Sequence, residues 1–252
     1  MEQPELPEGV QADVVACRAC PRLVAWREQA GLHPRASFAG QQYWCRPVPA
    51  FGDPAARLVV VGLAPAAHGG NRTGRMFTGD RSGDWLFRAL WRAGFANQPT
   101  SLHMGDGLRL KSAWVSAAVR CAPPDNRPTV EERDRCLPYL GRELAALDNA
   151  SVIVALGGFA YESLGRLLGL KRRPPFAHMR EVGVPAGQVD GGMAKGGTLI
   201  CSYHPSQRNT STKLLTEPMF DAVFKRAAEL CAVRQERSVR QERPVRQERP
   251  AG

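Results

Sequence analysis

The sequence predicts a layered α/β fold built on a parallel sheet of four strands. Three observations carry that expectation. Short apolar runs recur at residues 58–61, 113–119, 151–156 and 198–203. Each is continuous rather than alternating, which is how a strand covered on both faces reads. Helix-forming stretches separate the runs, and parallel strands need such crossovers.

The 252 residues are 43% hydrophobic, enough for one globular domain with a sizeable core. That domain is expected over residues 1–232. The formal net charge is +10, with arginines at 72, 75, 81, 120, 127 and 208 falling in loops. Such a balance points to a polyanionic partner, nucleic acid before membrane, because no basic amphipathic helix stands out; arginine richness also follows from a GC-rich genome. No apolar run reaches the ~20 residues of a membrane span, and no signal sequence opens the chain. A cytoplasmic monomer is expected.

Residues 1–11 are acidic, carry prolines and are expected to fray. Pro21, after Cys17-Arg18-Ala19-Cys20, opens a helix to about Ala30. Residues 31–57 read as a long loop that packs through Tyr43, Trp44 and Phe51. The first strand ends at Gly62, and a loop with glycines at 62, 69, 70, 74, 79 and 83 follows. Its helix is expected from Asp84 or Trp85 to Ala93, with an N-terminus able to receive an anion. The second strand empties into residues 120–128. Thr129, with Glu132 in the capping-box position, then starts a helix to about Asp148. After the third strand, Gly157 and Gly158 lead a helix to about Leu168, and residues 171–197 read as a connection. The fourth strand delivers His204-Pro205-Ser206, and a final helix is expected from about Glu217 to Cys231. Three copies of V-R-Q-E-R-S or V-R-Q-E-R-P then form a tail, 233–252, expected to be disordered.

Seven cysteines are an odd count, which disfavours a disulfide framework and favours metal or cluster ligation. Cys17, Cys20, Cys121 and Cys136 are the candidates, spaced C-x2-C-x100-C-x14-C. Four thiolates suit zinc or an iron-sulfur cluster. Only one tight knuckle is present, which leans toward the cluster. A thioredoxin-like dithiol is the weaker reading, since the pair does not follow a βαβ strand.

The string G-L-A-P-A-A-H-G-G-N-R-T-G-R-M-F-T-G-D, residues 62–80, resembles the first motif of the family 5 (type B) uracil-DNA glycosylases. His204-Pro205-Ser206 resembles the second motif of that superfamily, and the four cysteines match the spacing by which families 4 and 5 hold a 4Fe-4S cluster. The likeness covers about residues 15–230. It implies a three-layer α/β/α fold with a central four-stranded parallel sheet, a 4Fe-4S cofactor of structural role, and DNA containing uracil or other deaminated bases as partner. It also implies catalytic Asp80, Asn126 and His204, and base-binding Gly62, Ala64, Phe77, Ala117 and His204. Arg75, Ser206, Gln207, Arg208 and Asn209 would meet DNA.

The chemistry asks for such groups. Cleaving an N-glycosidic bond leaves an anionic base and a cationic sugar, so a donor at the base carbonyl and a carboxylate beside water and sugar both act in the transition state. Leu63 and Ala64 stand where other branches place a polar residue, and the resemblance to family 5 implies that Asp80 of T-G-D, helped by Asn126 of P-P-x-N, takes that task. The rival reading of Asp80 is a turn cap. Ala117 replaces the asparagine that uracil-specific relatives use to read the pyrimidine edge, which fits acceptance of hypoxanthine and xanthine. No lysine is placed as a Schiff-base nucleophile, so no lyase activity is expected. Two other classes stay open: a nucleotide-binding enzyme, against which the absence of G-x-x-x-x-G-K and G-x-G-x-x-G counts, and a noncatalytic iron-sulfur DNA-binding module.

Overall fold

The computed structural model describes residues 9–187, 191, 193 and 196–241. Six strands form one sheet: β1 (Phe51–Gly52), β2 (Leu58–Gly62), β3 (Ala113–Ala117), β4 (Val152–Leu156), β5 (Glu181–Val184) and β6 (Gly197–Ser202). Their order is β1-β3-β2-β4-β6-β5. The four expected strands are the inner ones and all run parallel. The sheet is nevertheless mixed, because β1 and β5 close its two edges antiparallel to β3 and β6. Both edges lie in stretches read as connections. An edge strand is not covered on both faces, so it lacks the continuous apolar run that revealed the others.

Alternation along β2 builds the layers. Leu58 and Val60 face α4 (Arg81–Arg92) and α8 (Glu217–Gln241), packing with Phe87, Leu90, Phe220 and Phe224. Val59 and Val61 face α5 (Val130–Ala146) and α6 (Gly158–Leu167), packing with Leu140, Leu144, Tyr161 and Leu164. Burying each such side chain contributes roughly 1.5–3 kcal/mol, so the three-layer arrangement follows from the apolar runs themselves. Thr129 caps α5 as expected, accepting from the Glu132 amide at 3.2 Å while Glu132 accepts from the Thr129 amide at 2.8 Å.

Three helix ends differ from expectation. A short helix, α1 (Val10–Ala16), precedes α2 (Pro21–Leu32), where fraying was expected to reach residue 11. Helix α4 begins at Arg81 rather than Asp84, because Asp80 caps it and Gly83 sits in its first turn. A Cβ at Gly83 would run into the Phe77 carbonyl, so this glycine serves a tight helix start and not a loop. Helix α8 runs past Cys231 to Gln241, through the first hexapeptide copy expected to be disordered. Arginine, glutamine and glutamate are good helix formers. The rest of the expected tail lies outside the described residues.

Sheet order positions the site. From β2 the chain moves to β3 on one side and later to β4 on the other, so the order reverses at β2. Ligands of open α/β sheets bind at the carboxyl ends of strands beside such a switch. The glycine-rich loop leaves from that point. Among the described residues no helix is long and apolar enough to cross a membrane.

Candidate functional site

The loop after β2 holds a short helix, α3 (Gly70–Thr73), and then turns back over the sheet. Gly62 and Ala117 are register partners at the ends of β2 and β3. Phe77 lies across Gly62, where an added Cβ would come within 2.5 Å of the ring's Cζ. Phe77 also stacks on His204, ring centroids 6.0 Å apart and planes 29° apart. Gly62, Phe77, Ala117 and His204 thus meet in one layer. Phe77 adopts φ +52°, a left-handed conformation costly for a bulky residue, roughly 1–3 kcal/mol. His204 follows β6, and the Asn209 amide donates to its carbonyl at 2.9 Å. Burial pushes the His204 pKa down to about 4, so the imidazole is neutral at pH 7 and has one N–H to donate.

A cleft of about 420 Å³ opens beside this layer, lined by His68, Gly69, Asp80, Arg81, Asn126 and Gln207 among others. Asp80 accepts from the Gly83 amide at 3.0 Å, as the rival cap reading expected. The same capped carboxylate also lines the cleft. Gly69 leaves room beside it, because a Cβ there would strike Asp80 Oδ2. Burial raises the Asp80 pKa above the usual aspartate value, with the Gly83 and Ser82 amides pulling the other way. Asn126 faces the same cleft from a loop in which Asp125 and Asn126 both have positive φ, +53° and +55°. Short polar side chains tolerate that conformation best.

Cys17, Cys20, Cys121 and Cys136 line one cavity between the N-terminal segment, the chain after β3, and α5. Arg27 Nη1 donates to Cys121 Sγ at 2.9 Å, and the Arg120 amide donates to Cys136 Sγ at 3.3 Å. Burial pushes the Cys121 thiol up to about 11 and Cys136 up to about 12. Among the described residues no three His, Cys, Asp or Glu side chains are arranged to hold a single metal ion. Three buried guanidinium nitrogens on the arginines of this wall, Arg27 Nε, Arg120 Nε and Arg120 Nη1, have no hydrogen-bond partner among the described residues.

Residues 49–228 match the family model of the uracil-DNA glycosylase superfamily. The type-5 uracil-DNA glycosylase of Mycobacterium bovis is 48% identical over 229 residues, covering 89% of this chain and 81% of that protein. The type-5 uracil-DNA glycosylase of Thermus thermophilus is 48% identical over 227 residues, 90% of this chain and 99% of that one. The chain belongs to the type-5 uracil-DNA glycosylases. A type-4 uracil-DNA glycosylase of Archaeoglobus fulgidus is more distant, at 31% identity over 189 residues, 75% and 83% of the two chains.

Within this type-5 chain the expected site residues divide. Asp80 and Asn126 share the cleft; Gly62, Phe77, Ala117 and His204 share the layer beside it. Ala64 does not join them. It packs against Leu23, Val119 and Cys121, beside the cysteines. Arg75 requires correction as a DNA contact, because its guanidinium turns inward to Asp106 at 2.6 Å and Ser101 at 2.7 Å and is buried. Ser206 caps α7 (Gln207–Ser211), a short helix where a loop was expected, leaving Gln207 and Arg208 exposed. His68 was missed. Its Nδ1 lies 2.9 Å from the Tyr43 hydroxyl and its ring beside Phe38, and burial, then Arg35 and Arg72, lower its pKa. The signal was the histidine beside the glycine pair in A-H-G-G, within the quoted motif.

Proposed function

We propose that the chain is a monofunctional DNA glycosylase that releases uracil, and also hypoxanthine and xanthine, from DNA by hydrolysis. The observation that carries this reading is the Asp80 carboxylate, fixed by its cap at the edge of a cleft that Asn126 also lines. The relatives named as uracil-DNA glycosylases support the uracil part. The alanine at 117, which carries no amide to read a pyrimidine edge, supports the wider range.

In the reaction the base leaves with the electron pair of its glycosidic bond, and water oxygen bonds to the sugar carbon. Asp80 orients that water, takes its proton, and stabilises the cationic sugar. Asn126 holds the water from the other wall of the cleft. His204, neutral at pH 7, donates its N–H to the base carbonyl as negative charge develops there. Phe77 offers a π face, which does not discriminate between bases. Gln207 and Arg208, exposed after the His204 loop, press on the DNA where the nucleotide has left the stack.

The four cysteines hold a 4Fe-4S cluster in this reading. Four thiols on one cavity, amide and guanidinium donors on two of the sulfurs, and orphaned N–H groups in its wall fit such an anion. When bound, the cluster supplies iron–thiolate bonds that tie the N-terminal segment to the chain after β3. Freshly prepared protein should be brown with about four irons per chain; zinc without iron would remove the cluster.

The function is tested with oligonucleotides carrying one uracil, hypoxanthine or xanthine, scored for alkali-labile abasic sites. Asp80→Ala should slow release of every accepted base alike, since water and sugar are common to all. A loss confined to one base would make Asp80 a reader of the substrate instead.

A further inference from the structure

Arg27 lies on α2 and is only 2% exposed. Three other arginines of the described residues are buried, and each has a carboxylate: Arg75 with Asp106, Arg120 with Glu143, and Arg133 with Asp134. Arg27 has no carboxylate partner among the described residues. Its side chain meets the Cys17 carbonyl, at 3.4 and 3.3 Å, and Cys121 Sγ, at 2.9 Å, while its Nε has no partner. A guanidinium does not lose its proton in a protein. An uncompensated buried charge is strongly destabilising, so something on this cavity must carry negative charge opposite Arg27.

The cavity wall narrows what that is. Arg18 pairs with Glu28, Glu132 with Arg22, and Arg120 with Glu143; Arg135 is exposed. The acidic groups are matched within the chain, which leaves the cysteine sulfurs. We propose that Arg27 is the buried counter-charge of the cluster, acting through Cys121, and that it sets how firmly the cluster is held and the potential at which it is reduced. The inference rests on the cluster reading above. A 4Fe-4S core bound by four thiolates is a net anion, and reduction adds one more negative charge, so a fixed cation favours the reduced state. Hydrogen bonds to cluster sulfur act in the same direction.

Substitution tests the guanidinium alone. The contact Arg27 makes to the catalytic loop, from Asn71 Nδ2 at 3.0 Å, is to its backbone carbonyl and survives any side-chain change. Full-length wild type, Arg27→Met and Arg27→Lys are prepared anaerobically, and iron per chain, its loss rate to a chelator, and the cluster midpoint potential are measured. Arg27→Met should lose iron at least tenfold faster. Its midpoint should move to more negative potential by a tenfold change in the redox equilibrium, ~59 mV for one electron. Arg27→Lys, which keeps the charge, should recover most of both. Should Arg27→Met bind no iron at all, the lysine variant decides: iron retained supports a charge role, iron lost overturns it. An unchanged iron loss and potential in Arg27→Met overturns it as well. Wild type without iron would instead bring down the cluster reading itself, and with it this inference.

Discussion

The loop after β2 and the cysteine cavity start as neighbours, for Ala118 and Val119 donate to the Gly62 and Leu63 carbonyls at 2.9 and 3.0 Å. They are finished differently. The loop is closed by the chain's own groups: Arg75 meets Asp106, Thr78 and Ser101, Arg72 meets the His68 and Gly79 carbonyls, and Asp80 caps α4. Among the described residues, the cavity leaves guanidinium nitrogens orphaned and the buried Arg27 without a carboxylate. A site that must be rigid before DNA arrives is satisfied within the fold. A site built around a resident group, as proposed for the four cysteines, is incomplete until that group is bound.

The sharpest way to break this contrast is Arg75→Met. If the loop is complete in itself, removing Arg75 strands a buried carboxylate and should cost about 3–5 kcal/mol in urea unfolding. Affinity for undamaged DNA should change little. Arg75 holds the Asp106 pKa down to about 2, with the Leu102 and Leu108 amides assisting and burial opposing. A depressed carboxylate stabilises the fold above its unfolded value, and that stability is lost as pH falls toward about 2. Arg75→Met should flatten this acid slope. Intact stability with weakened DNA binding would return Arg75 to the DNA interface.

Next in size is His204→Ala, which on the proposed mechanism removes one donor to a developing anion and should slow single-turnover release by ~10² to 10³ with DNA affinity nearly unchanged. Because the His204 pKa lies near 4, the rate should show no step at the ordinary histidine value. Its acid limb should instead begin above the ordinary aspartate value, where Asp80 takes up a proton. A rate step near pH 6.5 that vanishes in His204→Ala would mean His204 titrates in the open, outside the layer described. An unchanged rate would take it out of the mechanism.

The two regions were legible to different depths. Inner strands and the α5 capping box follow from local pattern, because a run covered on both faces and a Thr-x-x-Glu cap carry their own signal; the reversal at β2 emerges only from the strand order. Edge strands carry none, and β1 is two residues long. In the loop, glycine richness was visible but its purpose was not. Gly62 and Gly69 make room for Phe77 and Asp80, which are distant in sequence, and only packing shows that. Arg75 looked like a DNA contact because Asp106, 31 residues away, cannot be paired with it from sequence. The cysteines were found by spacing. Arg27 was not, because a lone arginine on a helix reads as a solvated charge until its burial is seen.

The smallest effect tests the boundary of the layer itself. Ala117 is 1% exposed, pairs with Gly62, and shares a core face with Phe77. Its side chain therefore stands on the face that Phe77 covers, where a base stacked on that ring would lie. Ala117→Asn should add an amide matching uracil's edge and take up room that a two-ring base needs. A site that hydrogen-bonds one partner penalises another that leaves its polar group unpaired, so uracil should gain over hypoxanthine and xanthine by on the order of tenfold or more. The amide also crowds Phe77, whose φ of +52° leaves it little freedom to adjust. Some loss of stability is expected, and relative single-turnover rates on folded protein are the measurement. If the three substrates slow in parallel, the amide disturbs the Phe77–His204 stack without meeting the base, and the base sits on the cleft side of Phe77 rather than above β3.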